Sequence, residues 1–191
     1  AFNKIKSLNL ESTDDQRQII CASAGNHAQG VAFSCNKLGI FGTIYMPETT
    51  PKQKVERVKM FGGKFINIVL FGDTFDDAQE EAQKQLNKDS VFIHPFDDID
   101  VIEGQGTIAL EILDQIDKHF DYLVIPIGGG GLIAGIIAVF KELSPNTKII
   151  GVEAEGAPAM FNSIKQKKII ELNKIDNFVD GVSIKKIGMI P

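Results

Sequence analysis

The sequence has few of the residues that mark disulfide-rich or metal-binding proteins. Its 191 residues include two cysteines, three histidines and no tryptophan. Cys21 and Cys35 are isolated and form no CxxC pair, so a disulfide framework is excluded and we expect both to be buried as small apolar residues. No spacing groups the histidines with cysteines or acids as metal ligands, so no metal site is predicted.

Long apolar runs and an excess of basic residues are also missing. The longest apolar runs, 122–127 and 132–140, fall far short of the roughly 20 residues that cross a bilayer. The net charge is −5, whereas surfaces that bind nucleic acid or anionic lipid need clustered Lys and Arg. We therefore expect a cytoplasmic protein with neither nucleic acid nor membrane as a partner. Because an initiating Met is also missing and residues 188–191 carry no capping pattern, we expect the chain to be incomplete at both ends.

Short apolar runs alternate with amphipathic segments along the chain. Strands are predicted at 19–22, 43–46, 64–71, 91–94, 122–127 and 148–152. Helices are predicted at 27–38, 51–61, 75–86, 108–116 and 132–143. This order predicts an α/β fold in which parallel sheets carry helices on both faces.

Three local patterns make this expectation more specific. The strand at 122–127 is apolar throughout, which predicts burial on both faces. Thr50, Pro51 and Gln53 predict a capping box with Pro at the first helical position. Residues 95–106, rich in Asp, Pro and Gly, predict a crossing between two lobes, a smaller one at 1–100 and part of a larger one at 101–191.

The first loop with chemical potential follows the first predicted strand and consists of Ser23, Ala24, Gly25, Asn26 and His27. A loop at the carboxyl end of a parallel strand lies where α/β proteins bind ligands. Small residues let the backbone approach a ligand, and the N–H groups that open the next helix favour an anion such as a substrate carboxylate. A tight turn with Asn26 as N-cap explains the same residues equally well.

The second loop consists of Gly128, Gly129, Gly130 and Gly131, followed by Leu132. Four consecutive glycines are costly to order, and a phosphate group held by bare N–H groups is a sufficient reason to retain them. The pattern is neither GxGxxG nor GxxxxGK[ST], so a small phosphate ester is favoured over a nucleotide. A flexible connector is the alternative. Together the two loops predict pyridoxal phosphate holding an amino acid.

Several motifs, in order along the whole chain, resemble threonine dehydratases, which belong to the fold type II pyridoxal-phosphate enzymes. The matching stretches are 23–30, 104–107, 128–132, 151–153 and 180–182. The resemblance implies a two-lobed α/β fold and elimination of water from threonine or serine, giving 2-oxobutanoate or pyruvate and ammonia. It also implies a homo-oligomer with an amino-acid substrate.

The resemblance also implies roles for individual residues. Asn26 would bind the 3′ oxygen of the cofactor ring, and residues 128–132 would hold its phosphate. The backbone of residues 23–27 would hold the substrate carboxylate. Serine racemases have a serine where this chain has Ala24, and alanine carries no proton, so dehydration is favoured over racemisation.

The lysine that would carry the cofactor is not among these residues. In the family it lies in a Ser-x-Lys-x-Arg-Gly-Ala motif, and Ala1 resembles the last residue of that motif. The lysine would then lie just upstream of Ala1, and we predict that residues 1–191 alone are inactive. Lys4 and Lys6 follow the motif and are not candidates.

Other functions stay open at this point. A serine racemase-like or serine dehydratase-like relative and a non-catalytic ligand-binding α/β module are both compatible with the pattern. In a nucleotide-binding module an acid should follow the glycine loop by about 20 residues, and Glu153 and Glu155 are near that distance. Threonine synthase and cysteine synthase are disfavoured, because their first loop tends to have Thr where His27 stands. Glu153, Glu155 and Asp180 could border a cation site, but the sequence gives no ligand geometry.

Overall fold

The computed structural model describes residues 1–9, 17–116, 119–176 and 178–191. The chain divides into two compact units, Ala1–Pro95 and Phe96–Pro191. The division falls at the start of the stretch 95–106, and the assignment of a smaller and a larger lobe to 1–100 and 101–191 stays a prediction. In the described part of the chain no helix has the length and apolar character to cross a membrane.

The first unit is built around a parallel sheet. Its elements are α1 (Phe2–Ser7), β1 (Gln18–Ala22), α2 (Asn26–Leu38), β2 (Gly42–Met46), α3 (Lys52–Gly62), a 3₁₀ turn (Gly63–Phe65), β3 (Ile66–Leu70), α4 (Phe75–Lys84) and β4 (Ser90–Phe92). The four strands lie in the order β3-β2-β1-β4 and all pairs are parallel.

The central strand β1 is covered by helices on both faces. On one face Ile20 and Ala22 pack with Ala78 and Ala82 of α4. On the other face α2 brings Cys35 next to Ile19 and β2. Because both faces are covered, β1 is buried from Ile19 to Ala22, as expected for a strand inside a parallel sheet.

The order of the strands reverses beside β1. The chain proceeds from β1 to β2 to β3 on one side and then returns to the other side of β1 for β4. In open α/β sheets, ligands bind outside the carboxyl ends of the strands at such a reversal. The loop at 23–25 begins at this switch point.

The second unit contains α5 (Ile99–Gln115), β5 (Tyr122–Pro126), α6 (Gly131–Leu143), β6 (Lys148–Val152) and α7 (Ala159–Gln166). Strands β5 and β6 are parallel. Ile125, Ile133, Ile136 and Phe140 belong to a buried cluster between β5 and α6. This packing fixes where α6 begins relative to the end of β5.

Three sequence predictions about this framework are wrong. The helix predicted at 108–116 begins nine residues earlier, at Ile99, because the side chain of Asp98 accepts a hydrogen bond from Val101 N at 3.1 Å and caps the helix. Thr50 and Gln53 form no capping box: the N-cap of α3 is Pro51, so Gln53 lies at the second helical position rather than the third.

The third correction concerns β5. Tyr122 and Val124 are 57% and 59% exposed, while Ile125 packs against α6. The apolar run therefore has only one face buried among the described residues, since α6 covers one face and successive side chains of a strand point to opposite faces.

We predict that both cysteines resist modification in the folded protein. Burial raises the pKa of Cys35 from 9.0 to about 12, and burial together with the nearby Cys35 raises the pKa of Cys21 above its ordinary value. Both thiols are then neutral at pH 8, where only a thiolate reacts. Alkylation with iodoacetamide, followed by peptide mass spectrometry, should label both cysteines only in denaturant.

The same pKa values give a direction for alkaline stability. The unfolded thiols lose protons above pH 9 while the folded thiols retain them until about pH 12. Because the unfolded state binds fewer protons in that interval, the free energy of unfolding falls as the pH rises.

For the labelling experiment, rapid alkylation of the native protein at pH 8 would contradict the burial of the two cysteines.

Candidate functional site

The first candidate loop lies at the switch point of the first unit. Ser23 extends β1 by one hydrogen bond, because its N–H donates to Tyr45 O at 3.0 Å. The hydroxyl of Ser23 accepts a hydrogen bond from Gly25 N at 3.2 Å, and Ser23 is buried. These two bonds fix the turn from which α2 starts.

The N-terminus of α2 suits an anion. Its N-cap is Gly25, which supplies no side-chain acceptor, and no acidic residue lies in the first turn. The first N–H groups of a helix carry a partial positive charge that favours carboxylates and phosphates. A Cβ added at Gly25 would meet nothing within 4 Å, so the space beside the loop is open.

Asn26 and His27 occupy the first two positions of α2. Asn26 is exposed and is not the N-cap, which makes the alternative of a simple Asn-capped turn wrong. The imidazole Nε2 of His27 lies 2.9 Å from Ile93 O. Because a carbonyl oxygen only accepts, Nε2 carries the proton. His27 thus ties α2 to the residue that follows β4, across the switch point.

The second candidate loop connects β5 to α6 in the second unit. Gly130 is the N-cap of α6 and has a φ of 101°, a left-handed conformation that favours glycine. It supplies no side-chain cap, and the first turn of α6 contains no acidic residue. This N-terminus, with Gly131 and Leu132 as its first residues, has the same anion-favouring character as that of α2.

The glycine loop is packed rather than flexible. An added Cβ at Gly129 would overlap the Phe96 ring, and one at Gly131 would lie 2.9 Å from the Phe96 Cα. At Gly130 it would lie 2.9 Å from the Met160 side chain. The alternative of a flexible connector is therefore wrong, and close packing on one side of the loop is a second reason for its glycines.

Several residues that matter to this loop were not singled out from the sequence. The carboxylate Oδ1 of Asp97 accepts hydrogen bonds from Met189 N and Ile190 N, each at 2.8 Å. Gly188 N donates to Gly129 O at 3.0 Å. Separations of 92 and 93 residues hide the two contacts of Asp97, and the sequence indicates only that Asp97 and its neighbours suit a turn.

The carboxylate of Glu153 is engaged by backbone amides. Its two oxygens accept hydrogen bonds from Met160 N at 2.8 Å and Phe161 N at 2.6 Å, which caps α7 from outside the helix. Within the described ranges, no group of three or more His, Cys, Asp or Glu residues is arranged to hold a metal ion. Glu153 therefore acts as the anchor of α7 and of Met160.

The sequence matches the profile of one protein family over nearly its whole length. The profile described as "Pyridoxal-phosphate dependent enzyme" matches residues 1–190. The chain belongs to this family of pyridoxal-phosphate dependent enzymes. The expected cofactor class and the expected α/β architecture with parallel sheets are thereby confirmed.

Two curated relatives show which members of the family this chain is similar to. The biosynthetic L-threonine dehydratase of Halalkalibacterium halodurans is 53% identical over 192 residues, which cover 100% of this chain and 46% of that protein. The enzyme of the same description from Bacillus subtilis is 53% identical over 98% of this chain and 44% of its own length. The chain thus spans about half the length of these relatives, and the resemblance to threonine dehydratases is confirmed.

Two solved structures have the same fold as this chain. The processed form of threonine deaminase isoform 2 from Solanum lycopersicum superposes with a TM-score of 0.88 at 44% identity, over 99% of this chain and 54% of that chain. Maize serine racemase superposes with a TM-score of 0.83 at 32% identity, over 98% of this chain and 55% of that chain. The fold is therefore that of fold type II pyridoxal-phosphate enzymes.

Two glycine substitutions in the full-length protein should distinguish a packed position in one loop from an open position in the other. We expect Gly129→Ala to lower stability by about 1–3 kcal/mol, because the methyl group would overlap the Phe96 ring. Gly25→Ala should cost less, at most about 1 kcal/mol for replacing the glycine N-cap of α2, because its methyl group enters open space. Chemical denaturation of the two variants measures both effects, and equal losses of stability would contradict the distinction.

Proposed function

We propose that the full-length protein eliminates water from threonine and releases 2-oxobutanoate and ammonia. The observation that carries this proposal is the 53% identity, over all of this chain, to a biosynthetic threonine dehydratase. The two loops support it, because each presents an uncapped helix N-terminus to an anion. A threonine linked to pyridoxal 5′-phosphate has one anionic group for each loop.

We assign the phosphate of the cofactor to residues 128–132. The phosphate is a dianion, and the amides of Gly131 and Leu132 open a helix with no acid in its first turn. Binding of the phosphate there is favoured by the partial positive charge of the helix N-terminus. The packed side of the loop holds the backbone in place, so little ordering remains to oppose binding.

We assign the substrate carboxylate to the backbone of residues 23–27. The open space beside Gly25 admits the carboxylate, and the turn fixed by Ser23 directs the first amides of α2 towards it. The Asn26 side chain is exposed at the start of the helix, where its amide can donate to the ring oxygen of the cofactor. His27 positions the helix through its bond to Ile93 O.

Removal of the substrate Cα proton needs both the cofactor and a base from the protein. When bound, pyridoxal 5′-phosphate supplies the electron sink that allows the substrate Cα to lose its proton. We propose that the lysine that removes this proton lies shortly before Ala1. An added Cβ at Gly30 of α2 would lie 3.6 Å from the Ala1 Cβ, so Ala1 lies beside this helix, one turn from Asn26.

Ala24 favours elimination over racemisation. Racemisation needs an acid that returns a proton to the opposite face of the Cα, and a methyl group cannot supply one. A serine racemase-like activity is the second candidate, favoured by the TM-score of 0.83 with the maize serine racemase. We place the full-length protein in the cytoplasm as a homo-oligomer, in keeping with the resemblance to threonine dehydratases.

The proposed activity predicts a specific adduct. Borohydride reduction of the full-length protein with its cofactor should fix pyridoxyl phosphate on one lysine upstream of Ala1, as mapped by peptide mass spectrometry. Threonine should give 2-oxobutanoate and ammonia in equal amounts. An adduct at Lys4 or Lys6, or turnover without a stoichiometric adduct, would overturn the assignment.

Asn26→Ala should weaken catalysis without unfolding the protein. Loss of a hydrogen bond to a charged ring oxygen predicts a fall of about tenfold to hundredfold in kcat/KM. Because Asn26 is exposed, thermal stability should stay close to that of the parent protein. Unchanged kcat/KM would show that Asn26 does not contact the cofactor.

Ala24→Ser tests whether Ala24 favours elimination over racemisation. In the parent protein, chiral chromatography should detect D-serine formation from L-serine far below the rate of pyruvate formation. The variant gains a hydroxyl at this position and should racemise serine measurably faster. Racemisation that already equals elimination in the parent protein would contradict the role of Ala24.

A further inference from the structure

A single carboxylate joins two distant segments of the second unit. Asp97 Oδ1 accepts hydrogen bonds from Met189 N and Ile190 N, both at 2.8 Å. Two N–H donors on one ionised oxygen make a strong, charge-assisted arrangement. The backbone at 188–190 is therefore held in place by Asp97.

The held segment in turn contacts the glycine loop. Gly188, the residue before the two amides, donates its N–H to Gly129 O at 3.0 Å. A side chain at residue 188 has no room beside the carboxylate, because a Cβ added at Gly188 would lie 2.9 Å from Asp97 Oδ1. Asp97, residues 188–190 and Gly129 form a continuous set of contacts, which we call the Asp97 clamp.

The clamp determines the direction of one N–H group in the loop. A peptide unit is planar, and in its trans form the carbonyl oxygen and the following N–H point in opposite directions. The described residues contain no cis peptide bonds. Because Gly188 holds the carbonyl oxygen of Gly129, the N–H of Gly130 is directed to the opposite side of the peptide plane.

Phe96, the residue before Asp97, restrains the same loop. Its ring and Cα occupy the positions that side chains at Gly129 and Gly131 would need. Phe96 and the clamp therefore act on neighbouring peptide units. With Gly129 held, the loop has little freedom to turn its amides away from a bound anion.

We propose that Asp97 is a positioning residue for the cofactor phosphate: through residues 188–190 it aims the Gly130 N–H of the loop. The inference rests on the proposed function, in which residues 128–132 bind that phosphate. Asp97 does not itself contact the phosphate in this account. Its negative charge opposes phosphate binding, so its contribution comes from the hydrogen bonds that it accepts.

The test compares pyridoxal 5′-phosphate with pyridoxal, which lacks the phosphate. Both are titrated into the full-length apo-protein, and the dissociation constants are measured from the absorbance of the bound ligand. Asp97→Ala should weaken binding of pyridoxal 5′-phosphate by about tenfold or more, because two amides lose a charged acceptor. Binding of pyridoxal should change by less than about twofold.

Two further variants separate the hydrogen bonds from charge and from general damage. Asp97→Asn retains an acceptor oxygen and should give a dissociation constant between those of the parent protein and Asp97→Ala; it also decides the question if Asp97→Ala does not fold. Asp98→Ala is the matched control, because Asp98 caps α5 through Val101 N. It should lower thermal stability but leave the preference for the phosphate unchanged.

Each outcome has a distinct meaning. Equal weakening of both ligands by Asp97→Ala would reduce Asp97 to a structural residue and overturn the inference. Tighter phosphate binding by Asp97→Asn than by the parent protein would show that charge, rather than positioning, dominates, and would also overturn it. If the parent protein binds both ligands equally, the loop is not a phosphate site and the proposed function itself fails.

Discussion

The proposed site depends on two helix N-termini that have no capping side chain. Each of these helices follows a parallel strand. Helices α2 and α6 both have a glycine as N-cap and no acid in the first turn. Helices α4 and α5 are different: Thr74 and Asp98 cap them, and aspartates lie in their first turns. The N-termini of α4 and α5 are thus neutralised by their own side chains, whereas those of α2 and α6, like that of α3, are not.

The surroundings of these two termini keep their amides in place. Ser23 and His27 fix the first loop through bonds to Gly25 N and Ile93 O. Around the second loop, Phe96 and Met160 occupy the space that side chains would need. A site built from backbone amides gains affinity only if the backbone is already ordered, because ordering it on binding costs free energy. Close packing on one side of a loop and anion binding on the other are therefore parts of the same arrangement.

Local patterns in the sequence were sufficient to predict most of the framework. The strands, the helices around them and the two loops follow from apolar periodicity and from glycines at strand ends, which are properties of neighbouring residues. The motif at 23–30 was specific enough to indicate the family. Predictions failed where a boundary shifted by a residue, as at Thr50, or where burial depends on what covers a strand, as at Val124.

The supports of the site could not be predicted because they depend on contacts between distant residues. Asp97 has the sequence of a turn residue, and only the fold brings it to the amides of Met189 and Ile190. In the same way the sequence allows Glu153 to border a cation site, and only the position of α7 shows that its carboxylate caps a helix. Such roles require the three-dimensional arrangement, since no spacing along the chain encodes them.

The most direct test of the central claim is a crystal structure of the full-length protein with its cofactor bound. We expect phosphate oxygens about 2.7–3.2 Å from amide nitrogens of residues 128–132, with the Asn26 side chain at the ring. A phosphate held by side chains elsewhere, with these amides facing solvent, would contradict the account.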